Sequence, residues 1–155
     1  MANYQKHFKK LIEKAAKAMD FKIKNMTSDD DGLAFDIDGY HFIAFVIDVE
    51  GGARCRIFCD IIDCAIDMED GEKILEATQI MNKFNLEYGG LYSFVFLENE
   101  ELTVALKAID IVAAEDIYDN EGVKEYHKNL FADILSIVNG VDYIKENYID
   151  PLEDL

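Results

Sequence analysis

The chain has 155 residues, enough for one domain with a hydrophobic core, and half of them are apolar, which argues against a disordered chain. Thirty-two acidic and 15 basic side chains give a formal net charge of −17, which either keeps the protein soluble or attracts a basic partner. Because so acidic a protein repels phosphate backbones, we expect no nucleic-acid partner.

The first segment has the pattern of a basic amphipathic helix. Apolar residues recur at spacings of three and four, and lysines occupy the other side. Such a helix either packs on the protein's own sheet, with its lysines in solvent or facing the acidic parts of the chain, or binds a membrane surface. We favour packing on the sheet. The apolar residues are Tyr4, Phe8, Leu11, Ile12, Ala15 and Met19.

Strand patterns and turn residues follow this helix. Apolar and polar residues alternate on both sides of Asp38-Gly39, a dipeptide typical of two-residue hairpin turns. Glu50, Gly51 and Gly52 provide the next turn, so the segment is predicted to be an antiparallel meander. The predicted strands are residues 21–26, 33–37, 40–49 and 54–62, followed by a loop or a short helical turn at 63–69.

The second half of the chain predicts two more helices around one hairpin. The middle helix begins at Asp70 and ends near Asn85, and the hairpin consists of strands at 91–97 and 102–109 around an acidic turn. The last helix is capped by Asp119 or Asn120 and runs to about residue 148. Within it, Gly140 marks a kink or a close helix contact, and Pro151 is expected to end the element.

Helices and antiparallel strands are therefore segregated along the chain. The predicted order is helix, three or four strands, helix, two strands, helix, which indicates an α+β fold with the helices packed on an antiparallel sheet. We expect a single domain at residues 1–150 and a C-terminal tail at residues 151–155.

The segment at residues 27–40 contains five carboxylates and two glycines, which raises the question of a calcium-binding loop. Placing Gly32 at the sixth position of an EF-hand puts aspartates at three ligand positions, but Thr27 takes the first and Asp38, instead of a glutamate, takes the last. The flanking segments are predicted strands, whereas an EF-hand needs helices. Turns between strands explain the same residues, so we expect no metal here.

No motif indicates catalysis or a cofactor. The cysteines form no Cys-x-x-Cys pair, and Cys55 and Cys59 share one face of a predicted strand, so buried free thiols are expected. Zinc needs a compact set of four ligands, whereas His7, His41 and His127 are scattered. We expect His41 and His127 at the surface or at an interface. The sequence predicts no enzyme, no metal and no cofactor.

Two strand segments, residues 42–47 and 91–97, are apolar on both faces. In an antiparallel sheet one face is normally solvated and polar. A second apolar face must be covered by the protein's own helices, by another subunit or by a bound chain. The residues that we expect to form such a binding surface are Phe42, Val46, Tyr92, Phe94 and Phe96.

The element order, together with residues 80–86 and 98–104, resembles the YbjN family, which shares the fold of the type III secretion chaperones (Tir chaperone-like). The most recognisable piece is Asn82-x-x-Asn85 at the end of the middle helix, followed by a strand, an acidic turn and a strand. The secretion-chaperone fold implies a homodimer that holds an extended segment of a client protein on apolar sheet and helix surfaces. The YbjN family implies a regulatory protein and contributes no catalytic motif.

We therefore predict a non-enzymatic, chaperone-like or regulatory protein-binding module, a homodimer located in the cytoplasm. No signal peptide and no apolar run of about 18 residues is evident, so no membrane partner is expected. One alternative is a small-ligand-binding domain or a small enzyme with a pocket beside His41 or among the carboxylates. Another is a membrane-surface adaptor that uses the basic first helix.

Overall fold

The computed structural model describes residues 2–30, 32–67, 69–88, 93–98, 101–114 and 119–155, and for residues 2–3, 60–65, 93–98 and 101–114 it describes the backbone alone. As predicted, the fold is α+β: six antiparallel strands form one sheet in the order β1-β2-β3-β4-β6-β5. The strands are β1 (Ile23–Ser28), β2 (Gly32–Ile37), β3 (Tyr40–Val49), β4 (Gly52–Asp67), β5 (Ser93–Glu98) and β6 (Glu101–Ala114).

Three long helices are followed by a C-terminal series of short ones. Within the part of the chain described above, no helix is long and apolar enough to cross a membrane. The helices are α1 (Ala2–Ala18), α2 (Gly71–Glu87), α3 (Glu121–Leu135), a 3-10 turn (Ser136–Gly140), α4 (Val141–Ile144), a π-helical turn (Lys145–Ile149) and α5 (Asp150–Glu153).

The carboxylate-rich segment at residues 27–40 forms strand ends and turns. The Oδ1 of Asp29 accepts a hydrogen bond from the backbone N–H of Gly32 at 3.0 Å. From α1, the Nε2 of Gln5 donates to the carbonyl of Asp29 at 2.6 Å and to that of Gly32 at 2.9 Å. Asp38 and Gly39 have φ angles of 50° and 83°, as a tight hairpin turn between twisted strands requires. The predicted hairpin at this dipeptide is confirmed.

The two longest strands extend beyond their predicted ends. β4 continues through Asp67 and takes up most of the segment predicted as a loop at residues 63–69, and β6 reaches Ala114 instead of residue 109. The two strands pair with each other, with register shifts between Arg56 and Ile57 and between Cys59 and Cys64. Pairing satisfies the backbone N–H and C=O groups of both strands, which outweighs the weak strand pattern of the local sequence.

Alternate residues of β2, β3 and β4 point into a core that α1, α2 and α3 cover. The rings of Phe35 and Phe42 stack on neighbouring strands with 5.3 Å between their centroids. Phe8 of α1 meets Phe131 of α3 edge-on at 6.2 Å, so the two helices pack on each other above the sheet. Cys55 and Cys59 are buried thiols within this core, as expected, and neither belongs to a disulfide among the described residues.

The C-terminal region is a chain of short helical segments instead of the predicted continuous helix. Regular α-helix stops at Leu135, and the break ends at Gly140, where the sequence suggested a kink. The region is attached to the end of α2 by side chains. The hydroxyl of Tyr148 donates a hydrogen bond to the carboxylate of Glu87, and the hydroxyl of Tyr143 donates to the same oxygen at 3.2 Å.

The predicted boundary at residue 150 is not a structural boundary. Residues 150–153 form α5, with Pro151 in its first turn, where a missing N–H costs nothing. Leu152 is 1% exposed and packs in a second apolar cluster with Ile66, Ala77 and Met81. Residues 151–155 are therefore not a free tail, because burial of this leucine attaches them to α2 and β4.

Candidate functional site

The residues predicted to form a binding surface do not lie together at the surface. Phe42 and Val46 are 0% and 2% exposed, because strand alternation puts them on the face covered by the helices, so they are core residues. Phe94 and Phe96 lie in β5, where they pair in register with Ala105 and Thr103. Tyr92 lies outside the described residues.

The opposite face of the sheet is the one with accessible apolar side chains. Phe45 and Ile47 are 39% and 44% exposed on β3, and Ile43 and Phe58 are half-buried beside them. We name the outward-facing residues of β2, β3 and β4 the outer face, and none of their side chains is buried. The outer face consists of Ala34, Asp36, His41, Ile43, Phe45, Ile47, Arg54, Arg56 and Phe58.

Strand register interleaves apolar and cationic side chains on the outer face. Ile43 of β3 lies opposite Phe58 of β4, Phe45 lies opposite Arg56, and Ile47 lies opposite Arg54. The rings of Phe45 and Phe58 meet edge-on, with 5.6 Å between their centroids and 79° between their planes. Both arginines therefore lie next to apolar residues of β3 on one side, and on the other side they are in register with Val112 and Asp110 of β6.

Arg54 and Arg56 are the only arginines in the chain, whereas lysine supplies every other basic residue apart from histidine. Both arginine side chains are half-buried. The Nε atom of Arg54 is buried and has no hydrogen-bond partner among the residues whose side chains the structure describes. A buried donor without an acceptor costs roughly 1–3 kcal/mol.

His41 and Asp36 form a hydrogen-bonded pair at the edge of the outer face. The Nδ1 of His41 lies 2.7 Å from the Oδ1 of Asp36, and the Nδ2 of Asn25 donates to the other carboxylate oxygen at 2.8 Å. The hydrogen bond from Asn25, and then that from His41, holds the pKa of Asp36 below its ordinary value. His41 is exposed, as expected, and this pair fixes the two side chains at the surface.

The other two histidines lie inside the protein, whereas His127 was predicted to lie at the surface or at an interface. His127 is 5% exposed and His7 is 8% exposed, because α3 and α1 pack on each other through the faces that carry them. Burial lowers the pKa of His127. Burial, the nearby Lys124 and His127 itself lower the pKa of His7 to about 4. Both imidazoles are therefore neutral at pH 7.

The sequence analysis did not single out the two arginines, and it did not place His7 and His127 together. The reasons differ. The arginines had a signal, since Arg54 and Arg56 alternate with Cys55 and Ile57 and must share the face opposite these apolar residues. The histidines had none, because they belong to helices at opposite ends of the chain. Within the described residues, no group of three or more His, Cys, Asp or Glu side chains is placed to hold a metal ion.

Comparison of this chain with protein-family models, with curated proteins and with solved structures found no match. The resemblance to the YbjN family and to the secretion chaperones stays a prediction from the element order. The function is therefore argued from the outer face itself.

Proposed function

We propose that this chain is a non-enzymatic protein-binding module, chaperone-like or regulatory, that holds its partner on the outer face. The observation that carries the proposal is the placement of both arginines among the accessible apolar side chains of Phe45 and Ile47. Protein interfaces are enriched in aromatic residues and arginine and depleted in lysine. The nine residues of the outer face include two phenylalanines, two arginines and no lysine, and Lys24 of β1 and Lys107 of β6 border them in register with Asp36 and Phe58.

The energetics of the outer face favour coverage. Fully burying a phenylalanine or isoleucine side chain stabilises by roughly 1.5–3 kcal/mol, so covering the exposed parts of Phe45 and Ile47 is worth about 1 kcal/mol each. The half-buried Arg54 side chain carries further N–H donors besides its buried Nε, and a carbonyl or carboxylate of the partner can accept from them. The apolar residues therefore supply affinity, and the arginines supply orientation.

The partner that we propose is a second copy of the same chain. Most soluble homo-oligomers are two-fold symmetric, and such an interface places the same patch of both subunits face to face. Two sheets pack in this way at about 10 Å, with the apolar side chains of the two faces interdigitating. The resemblance to the secretion chaperones further implies that this homodimer holds an extended segment of a client protein.

The oligomeric state in multi-angle light scattering tests the proposal. We expect the wild-type chain to have the mass of a dimer, and the variants Phe45→Asp and Ile47→Asp to be folded monomers, because a buried unpaired carboxylate would oppose association. The matched control is Leu86→Asp, which introduces the same charge at an 86% exposed leucine of α2. This control should remain dimeric.

Two results would contradict the proposal. A wild-type chain that is monomeric at every concentration would exclude the homodimer. A dimer that survives both β3 substitutions would place its interface elsewhere. Circular dichroism on the same samples identifies any variant that has unfolded, and Phe45→Ser then replaces Phe45→Asp as the milder change.

A further inference from the structure

A cleft of about 420 Å³ lies between α1 and the beginning of α3, on the helical side of the sheet and away from the outer face. Its size is that of a small-molecule site. Four lysines line the cleft together with one histidine and one carboxylate, although the protein as a whole is strongly acidic. These residues are Lys6, Lys10, Lys14, Lys124, His7 and Asp119.

Three of the lysines form a row along α1. Lys6, Lys10 and Lys14 are four residues apart, so they share one face of the helix and follow one another at intervals of about 6 Å. Like charges at this spacing repel each other. Among the side chains that the structure describes, no carboxylate forms an ion pair with any of these three lysines. By contrast, the Nζ of Lys9 on the same helix lies 3.9 Å from the Oε1 of Glu13.

The opposite wall of the cleft belongs to α3. The Nζ of Lys124 lies 3.8 Å from Asp119 and 3.4 Å from Glu121, so its charge is partly compensated. Positive charge in the cleft therefore comes mainly from the row on α1. A ligand that enters between the helices would meet this row on one side and the Lys124 ammonium group on the other.

His7 lines the inner side of the cleft, and its pKa is lowered first by burial and then by the positive charges around it. Lys124 and Lys14 act with burial to lower the pKa of this imidazole, and the carboxylate of Asp119 opposes them. His127 lies behind it and also disfavours the imidazolium. An anion bound among the lysines would reverse this balance and favour protonation of His7.

We propose that the cleft binds a compact small molecule that carries two or more phosphate groups. The row of unpaired ammonium groups matches several separate anionic groups, since its members are about 6 Å apart. Apart from His7, Leu11 is the sole uncharged residue that lines the cleft among the residues described, so the lining offers charge and little apolar surface for a base or another flat ring. This ligand site is independent of the proposed protein interface, because it lies on the other side of the sheet.

Isothermal titration calorimetry at low ionic strength, with inorganic pyrophosphate and tripolyphosphate as probes, tests the proposal. We expect tripolyphosphate to bind more tightly than pyrophosphate, and Lys6→Gln/Lys10→Gln to weaken both by about tenfold or more. The control is Lys9→Gln/Lys17→Gln, which removes the same charge from the same helix outside the cleft. It should weaken binding by no more than about twofold, since exposed charges farther away are screened.

Proton uptake gives a second measurement that general charge attraction would not produce. At about pH 5 the free His7 is mostly neutral, and binding of the anion should raise its pKa and take up protons. Titration in buffers of different ionisation enthalpy measures this uptake. His7→Gln should abolish most of it while leaving the four lysines in place.

Three outcomes would overturn the proposal: no binding of either probe to the wild-type chain, equal losses in the cleft variant and its control, or the same net proton exchange on binding for the wild type and His7→Gln at about pH 5. A membrane is the other source of clustered phosphates. Sedimentation with vesicles of phosphatidylcholine and phosphatidylserine distinguishes it. Vesicle binding without binding of the soluble probes would assign the lysine row to a lipid surface and contradict a small-molecule ligand.

Discussion

The ring of Phe45 meets the ring of Phe58 edge-on, 5.6 Å between centroids, on the face of the sheet opposite the helices. The two residues belong to neighbouring strands but are not directly opposite each other, since Phe45 pairs with Arg56 and Phe58 pairs with Ile43. Aromatic pairs in this geometry contribute about 0.5–1.5 kcal/mol beyond burial of their area. This contact therefore orders the apolar centre of the outer face before any partner binds.

A double-mutant cycle of Phe45→Ala and Phe58→Ala measures this contact. We expect a coupling free energy of about 0.5–1.5 kcal/mol in urea denaturation, at a protein concentration where the chain is monomeric. The control cycle combines Phe45→Ala with Leu75→Ala, which lies on an exposed part of α2, and its coupling should be close to zero. A coupling near zero in the first cycle would show that the rings contribute no specific contact.

The stability of the protein should decrease in acid because of the buried histidine on α1. The pKa of His7 is about 4 in the folded chain and 6.5 in the unfolded one, so the unfolded chain binds more protons between these values. The free energy of unfolding therefore rises with pH across this window. As the pH falls from about 6.5 to about 4, it decreases by up to about 3 kcal/mol.

Urea titrations of the wild type and of His7→Leu between about pH 4 and pH 6.5 test this sign. The variant should lose much less stability on acidification than the wild type does. His41→Gln is the control, because His41 is exposed, and it should retain the dependence of the wild type. Parallel pH profiles for wild type and His7→Leu would refute the assignment to this imidazole.

Close contact between β2 and β3 should make Gly32 intolerant of any side chain. A Cβ at this position would lie 2.1 Å from the carbonyl oxygen of Ala44, and a backbone atom within a paired strand cannot move away cheaply. We expect Gly32→Ala to cost about 3 kcal/mol. Gly71→Ala is the matched control, since nothing lies within 4 Å of its added Cβ. It should change the midpoint of urea denaturation little, and equal effects would contradict the steric explanation.

Attachment of the C-terminus through Leu152 should make this residue a stability determinant. Leu152→Ala is expected to cost about 2–4 kcal/mol, because the side chain is 1% exposed in a packed cluster. Leu86→Ala makes the same chemical change at an 86% exposed position and should stay within about 0.5 kcal/mol of wild type. Thermal denaturation compares the two. A loss for Leu152→Ala no larger than that for Leu86→Ala would support the free tail that the sequence suggested.

Local patterns predicted the α+β class because periodicity and turn residues act over short distances. The spacing along α1, the Asp38-Gly39 turn and the cap before Val123 all involve residues within one helix or hairpin. The same locality explains the errors. Residues 63–67 combine two aspartates with three apolar residues and lack a clear alternation, so their pairing with β6 could not be anticipated.

The candidate sites were less accessible to sequence reasoning. Alternation along Tyr40–Val49 correctly separates two faces of β3, but it does not say which face the helices cover. Phe42 and Phe45 are both apolar, and the choice of Phe42 as a surface residue followed from composition alone. Which face is covered depends on where α1 and α3 pack after the sheet has formed, and that is a property of the whole chain.

The sequence by itself determined the class of fold, the charge of −17, the hairpin at Asp38-Gly39 and the presence of strands with two apolar faces. Only the tertiary structure decided that Arg54 and Arg56 lie on the uncovered face, and that the lysine row of α1 faces Lys124 across a cleft. The reason is physical. Periodicity sets which residues share a face, whereas packing between elements distant in the chain sets whether that face is core, interface or cleft.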